Sequence, residues 1–240
     1  MNMKLQDLIV FENDELVALN KPSGLLSIPD REGKDASLKE LLQNTYPSIF
    51  TIHRLDRETS GLIIFAKDAE AHKHFSQQFE ARKTIKIYNG LVIGSVSQAS
   101  GSIDAPIAEN MVKRGTMIIH RRGKQALTDF NVLKDFKIYS WMEFRIHTGR
   151  THQIRIHARE IGHPLAGDPI YGDGKPVYLS SFKSRFNLSK EHLEERPLLN
   201  RLALHASRLK IETRDGHWLE LEAPLHKDLK ATLQQLEKRK

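Results

Sequence analysis

The chain has 240 residues, with 37 Lys and Arg against 30 Asp and Glu and a formal charge of +7. With 39% hydrophobic and 28% charged residues it has the make-up of a soluble folded protein rather than a disordered one. Its lack of a long apolar run argues against a membrane span, its start resembles no signal peptide, and its lack of cysteine excludes disulfides, thiolate catalysis and Cys-ligated metals. These features lead us to expect a cytoplasmic protein.

Leu8–Phe11 and Glu15–Asn20 read as short strands that end at the turn Lys21-Pro22-Ser23-Gly24. Ser37–Gln43 has the pattern of a short helix. Leu62–Ala66 reads as a buried strand, and Asp68 suits the N-cap of a helix running to about Arg82. Thr84–Ile93 alternates as a strand, with Ile85 and Ile87 on one face and Lys86 and Tyr88 on the other. Strands near Met117–His120 and Ala126–Val132 flank the turn Arg121-Arg122-Gly123-Lys124. Another follows at Trp141–Ile146. A helix is predicted over Arg150–Ile161, with His152, Arg155 and Arg159 on a polar face and Ile154, Ala158 and Ile161 on an apolar one. Leu202–Thr213 and Trp218–Ala223 pair around Asp215-Gly216, and a last amphipathic helix carries Leu229, Leu233 and Leu236. Strands outnumber helices without βαβ regularity. The expected fold is therefore a single α+β domain over residues 1–240 with a mixed, mainly antiparallel sheet.

Charge is uneven along the chain. Residues 1–20 hold one Lys and four acids, whereas Met111–Lys124 holds Lys113, Arg114, Arg121, Arg122 and Lys124 with no acid. Such a distribution suits either a solvated surface or a polyanion-binding face.

Two polar runs could carry chemistry. In His53-Arg54-Leu55-Asp56-Arg57-Glu58-Thr59-Ser60-Gly61, two arginines and a histidine favour the ionised form of Asp56. Such a carboxylate suits nucleophilic or base work. In Thr148-Gly149-Arg150-Thr151-His152-Gln153-Ile154-Arg155-Ile156-His157, the histidines lie among arginines without an acidic neighbour, a poor home for a metal ion. Gly167-Asp168-Pro169-Ile170-Tyr171-Gly172 lacks the alternating acids of a calcium loop and reads as a structured loop. No glycine-rich phosphate loop is present, which argues against nucleotide-fuelled chemistry.

Together these runs resemble the RluA-type pseudouridine synthases. The resemblance rests on Lys21-Pro22-Ser23-Gly24, His53-Arg54-Leu55-Asp56 through Thr59-Ser60-Gly61-Leu62, Lys86-Ile87-Tyr88, Gly123-Lys124-Gln125-Ala126-Leu127-Thr128 and the Thr148–His157 run. Gly162-His163-Pro164, Gly167-Asp168 through Tyr171-Gly172 and Leu204-His205-Ala206 complete it, in the family's order over residues 8 to about 225. Many relatives carry a small RNA-binding module ahead of the first strand; here the catalytic pattern begins at about Leu8, so no such module is expected.

The resemblance implies isomerisation of uridine in ribosomal or transfer RNA without cofactor or metal. It makes Asp56 the essential catalytic carboxylate, acting on the sugar directly or through a glycal. It matches Tyr88 to the active-site tyrosine, Arg155 to the basic residue that pairs with the catalytic Asp, and Arg54 to an arginine that helps displace the target base. Lys21, Arg57, Arg150 and His152 are expected to contact RNA. So are the basic hairpin of Lys113, Arg114, Arg121 and Arg122, and Lys183 and Arg185 within Lys175–Arg201. In that last stretch Tyr178, Phe182 and Phe186 either stack on bases or complete a small core. The expected partner is a structured RNA stem-loop, bound by a monomer. Two other classes share parts of this pattern. A catalytically silent RNA-binding module would not need Asp56, and a glycoside or nucleoside hydrolase would want a second, protonated carboxylate.

Overall fold

A computed structural model describes residues 4–30, 33, 35–183 and 194–238. In chain order the elements are β1 (Ile9–Glu12), β2 (Leu16–Lys21), α1 (Leu38–Gln43), β3 (Phe50–Thr51), β4 (Ser60–Ala66), α2 (Ala69–Glu80), β5 (Ile85–Ile93), β6 (Ser100–Asp104), β7 (Ile107–Glu109) and β8 (Met117–Ile119). They continue with β9 (Leu127–Asp135), β10 (Tyr139–Ile146), α3 (Gln153–Glu160), β11 (Leu204–Glu212), β12 (Trp218–Glu222) and α4 (Lys227–Glu237). The strands form a mixed, mainly antiparallel sheet, as expected, with four α-helices among the described residues.

The chain gathers into two compact units. The first comprises residues 1–88, 145–147 and 205–224; the second comprises 89–144, 148–204 and 225–240.

In the first unit the strand order is β1-β2-β4-β11-β5, with β3 added to β4 and β12 to β11. Every residue of β2 and β4 is buried, which fits their unbroken apolar runs, Leu16-Val17-Ala18-Leu19 and Leu62-Ile63-Ile64-Phe65. Phe75 of α2 is buried against this core. The caps follow from sequence. Ser37 and Glu40 form a reciprocal capping box on α1, and Asp68 accepts the Ala71 amide (2.7 Å) to start α2.

In the second unit the order is β5-β10-β9-β6, and β7 and β8 make a separate hairpin. Its core joins Leu91, Phe136, Val177, Phe182, Leu199 and Ala203 to Leu229 and Leu236 of α4. A smaller cluster holds Ile107, Ala126, Ile156 and Tyr171.

The structure departs from expectation at α3. The helix starts at Gln153, not Arg150, because His152 takes a left-handed conformation (φ 55°). The segment before it is a turn, in which Gln153 Oε1 accepts the Arg150 amide (3.0 Å) and the Thr148 hydroxyl (2.8 Å). The expected polar face is only partly solvated: Arg155 is 2% exposed, whereas His152 is half-buried and Arg159 is exposed. His157 meets Thr128 Oγ1 (2.9 Å) and the Ala105 carbonyl (3.0 Å) within the interior. Strands β3, β6 and β7 were not expected, since they are short or carry few apolar residues.

Two motif segments turn out to be neighbouring strands. β4 and β11 run parallel at Ser60–Gly61 and His205–Ala206, and His205 Nδ1 meets Ser60 Oγ at 3.0 Å. Gly61 sits at φ +111°, and a Cβ there would come within 2.2 Å of the Ala206 carbonyl oxygen. Both the backbone angle and the close approach demand glycine. We predict that Gly61→Ala destabilises the protein by on the order of 3–5 kcal/mol, since neither sheet backbone can move aside cheaply. Urea denaturation showing a loss below about 1 kcal/mol would contradict this.

Candidate active site and RNA-binding residues

Asp56 lies in the irregular segment between β3 and β4, and the turn after β2 fixes that segment residue by residue. Ser27 Oγ accepts the Leu55 amide (3.1 Å) and donates to the Leu55 carbonyl (2.9 Å). The Gly24 amide donates to the Arg57 carbonyl (2.9 Å), and the Ser23 hydroxyl to that of Glu58 (2.7 Å). The Lys21 ammonium donates to the carbonyls of Pro22 (3.1 Å), Leu25 (2.7 Å) and Arg57 (3.0 Å). Residues on both sides of Asp56 are therefore held, while its own side chain stays partly exposed.

This corrects the expectation for Lys21. Its side chain is fully buried, so it is a staple between two loops rather than an RNA contact. Three carbonyl acceptors compensate the charge that burial would otherwise penalise.

His53 also differs from its expected part. It stacks on Phe79 (ring centroids 4.6 Å apart, planes 18°), and its Nε2 accepts the Ile64 amide at 3.2 Å. Burial, with the nearby Lys86 charge, pushes its pKa down to about 3. His53 is thus neutral at physiological pH and adds no positive charge around Asp56. Its ring pairs a backbone N–H of the central strand that would otherwise be orphaned. Arg57 turns aside as well, pairing with Asp35 (2.8 Å) and donating to the Gly24 carbonyl (3.1 Å). Arg54 is exposed beside Asp56 in sequence. Tyr88, at the end of the first unit's part of β5, is half-buried. Burial pushes its phenol well above the ordinary value, and the charge of Asp56 adds to the shift. Asp56 and Tyr88 are thus close enough to feel each other within one unit.

In the second unit Arg155 grips Asp168 through two hydrogen bonds, Nε to Oδ2 (2.8 Å) and Nη2 to Oδ1 (2.7 Å). Arg155 was expected to pair with the catalytic Asp; within its own unit two of its nitrogens are held by Asp168. Burial alone would raise the Asp168 pKa, but Arg155 and the amides of Tyr171 and Ile170 hold it below the usual carboxylate range. The Arg155 guanidinium also lies over the Tyr171 ring (5.2 Å). The Tyr171 hydroxyl meets His152 Nδ1 (2.8 Å) and accepts the Met117 amide of β8 (2.7 Å). Sequence reasoning gave Asp168 and Ser27 no role. A buried arginine must find a carboxylate, which was the available clue to Asp168; Ser27 carries no comparable signal.

The remaining RNA-binding candidates belong to the second unit. Arg150 donates from Nε to the Gln125 carbonyl (3.0 Å) and, with Arg122 and Lys124, lines a cavity of about 370 Å³ at the root of the β7–β8 hairpin. Lys113, Arg114, Arg121, Arg122 and Lys183 are exposed. Phe182 is 8% exposed within the second core, so it packs inward rather than offering a stacking surface. Arg185 and Phe186 lie outside the described residues. Among the described residues, no cluster of His, Asp or Glu could hold a metal ion, and no helix is long and apolar enough to cross a membrane.

Residues 15–160 match the family model described as RNA pseudouridylate synthase. The chain belongs to this family. It is similar to ribosomal large subunit pseudouridine synthase D of Haemophilus ducreyi, with 35% identity over 227 residues, 92% of this chain and 67% of that protein. The enzyme of the same name from Escherichia coli strain K12 is 32% identical over 228 residues, covering 92% and 68% respectively. Among solved structures, human RNA pseudouridylate synthase domain containing 1 superposes with TM-score 0.71 at 25% identity, covering 99% of this chain and 98% of that one. The human domain containing 4 superposes with TM-score 0.76 at 24% identity, a likeness of fold. The chain is accordingly an RNA isomerase, a pseudouridine synthase.

Two predictions separate the buried groups from RNA contacts. Lys21→Met leaves three carbonyls without their donor, so it should cost about 3 kcal/mol or more of stability. It should also lower kcat by loosening the Asp56 segment, with an unchanged salt slope of RNA binding. A slope reduced by about 0.7–0.9 would instead make Lys21 a phosphate contact. For His53, the unfolded chain takes up a proton near pH 6.5 that the folded chain resists until about pH 3. Stability should therefore fall with pH through that window at about 1.4 kcal/mol per unit from this group. His53→Gln, which keeps an acceptor for Ile64, should shed about one proton's worth of that slope. An unchanged slope between pH 6 and 4 would refute the assignment.

Proposed function

We propose that this enzyme converts specific uridines of ribosomal RNA to pseudouridine, with Asp56 as its essential carboxylate and the cytoplasm as its site of action. The observation that carries the role of Asp56 is the pinning of its flanking residues Leu55, Arg57 and Glu58, which leaves that one carboxylate partly open at a fixed position. The similarity to the two ribosomal large subunit synthases favours ribosomal RNA over transfer RNA.

The reaction balances without an oxidant or a metal. The N1–C1′ bond of uridine breaks, the uracil turns, C5 bonds to C1′, and the proton on C5 is lost as N1 gains one. Asp56 serves the sugar side of this exchange, at C1′ directly or by assisting a glycal. A uridine in a stem-loop must first leave its stack, at a cost of a few kcal/mol. Tyr88 offers its ring to the extruded base. Because burial and Asp56 raise its pKa, it presents an O–H donor rather than a phenolate at neutral pH. Arg54, exposed two residues before Asp56, is placed to take the space or the phosphate of the displaced nucleotide. Exposed Lys113, Arg114, Arg121, Arg122 and Lys183 supply further RNA contacts, with Arg150 near Arg122.

Asp56→Asn should retain less than about 1% of wild-type kcat while keeping RNA affinity and thermal stability, as expected for loss of a covalent catalyst. Purified enzyme should form pseudouridine in a large-subunit ribosomal RNA transcript, read as carbodiimide-dependent stops in reverse transcription. Product in bulk tRNA alone would overturn the ribosomal assignment, and release of free uracil would mean hydrolysis.

A further inference from the structure

The tip of the β7–β8 hairpin exposes two large apolar side chains that contribute nothing to a core. Met111 is 89% exposed and Val112 is 95% exposed. The turn that carries them is internally bonded. The Asn110 amide donates to the Thr116 carbonyl (2.9 Å), and Asn110 Oδ1 accepts the amides of Val112 (3.0 Å) and Lys113 (3.1 Å). The Thr116 hydroxyl closes onto the Lys113 carbonyl (2.7 Å). Gly115 supplies the left-handed residue (φ +76°) that the turn requires.

The hairpin is equally well fixed at its root. Ile107 is 2% exposed in the small cluster with Ala126, Ile156 and Tyr171, and Ile107 and Lys124 exchange backbone hydrogen bonds (2.9 and 2.8 Å). The Met117 amide is held by the Tyr171 hydroxyl (2.7 Å). Gly123 lies so close that a Cβ would meet Ile107 backbone at 2.6 Å. A bonded arm anchored this way presents its apolar tip in one place rather than folding it away.

What the tip meets is set by its surroundings. Lys113 and Arg114 follow the apolar pair directly, and Arg121, Arg122 and Lys124 come from the hairpin's other end, with Glu109 as the acid of β7. Such a charge balance disfavours an ordinary protein surface and suits a polyanion. Duplex RNA offers a wide, shallow minor groove in which base edges and sugars lie open to apolar side chains, with phosphates along both rims. In the minor groove of DNA, apolar side chains such as methionine wedge against base steps, and the same contact is open to them in the shallow groove of RNA.

We infer that the Met111-Val112 tip docks in the shallow groove of a base-paired stem of the substrate RNA, with Lys113 and Arg114 on its phosphates. This inference rests on the RNA-modifying reading above and adds to it a contact with paired rather than looped RNA.

The test uses the full-length protein, a labelled 20-base-pair RNA hairpin and a single-stranded oligouridine of equal length. Met111→Ser/Val112→Ser should weaken hairpin binding by about tenfold, the loss of roughly 60 Å² of buried apolar contact, with an unchanged salt slope. The same variant should bind oligouridine as wild type does. Lys113→Ala/Arg114→Ala should instead reduce the slope of log K against log salt by roughly 1.4–1.8. Equal loss on both RNAs, or no loss on either, would overturn the inference. Concentration-dependent self-association that the Ser pair abolishes would make a second copy the occupant and overturn it too. Pseudouridine formation by wild type is scored in parallel on the ribosomal transcript. Absence of product with the duplex-specific loss intact would fault the reaction and leave the tip standing, so the two failures are told apart.

Discussion

The ammonium of Lys21 donates to three backbone carbonyls, two in its own turn and one at Arg57, and the geometry of the Asp56 segment follows from that bond set. A segment with no helix or strand of its own has nothing intrinsic to hold it still. Here rigidity is imported. Lys21 and Gly24 hold Arg57, Ser23 holds Glu58, Ser27 holds Leu55 from both its amide and its carbonyl, and His53 ties the start of the segment to β4. Functional groups need placement to within about half an ångström, and the bonded residues on either side of Asp56 fix where its backbone lies. The Asp56 side chain stays partly exposed while the backbone on either side of it is bonded.

Much of this was legible in the sequence, and the part that was not has a physical reason. The apolar runs of β2 and β4 and the cap at Asp68 depend on local pattern, and local pattern survives folding. The segment around Asp56 could be found because its residue types and spacing are distinctive. What sequence did not reveal is the direction in which a long polar side chain turns. Lys21 and Arg155 look the same on paper as Lys113 and Arg114, yet the first two are buried and the latter two exposed. That choice is made by carbonyls and carboxylates that arrive from distant parts of the chain. Arg57 lies 36 positions from Lys21, and Asp168 lies 13 from Arg155. The late start of α3 has the same origin, because the left-handed His152 is held by Tyr171 from a following loop.

Counting charges therefore overstates what is offered to RNA. The net +7 includes one lysine spent within the first unit's core and one arginine neutralised inside the second. His53, read as a possible cation, is neutral. On the β7–β8 arm, exposed Lys113 and Arg114 directly follow the exposed apolar pair Met111 and Val112.

The two buried cations do comparable work by different means, and the difference follows from their chemistry. A lysine ammonium has three donors pointing apart, so it suits a place where three carbonyls converge from two loops. A guanidinium has donors in a flat fork, so it suits a single carboxylate gripped through two parallel bonds, as Arg155 grips Asp168. Asp168 then accepts the amides of Ile170 and Tyr171, which sets the Tyr171 ring beneath the guanidinium and its hydroxyl against His152 and the hairpin strand β8. A replacement of Arg155 by lysine would keep the charge but lose the second bond and the stacking, and the effect would run through Tyr171 into the root of the arm. The root of the arm thus depends on one arginine's planar fork, in the same way that the segment carrying Asp56 depends on one lysine's threefold donor set.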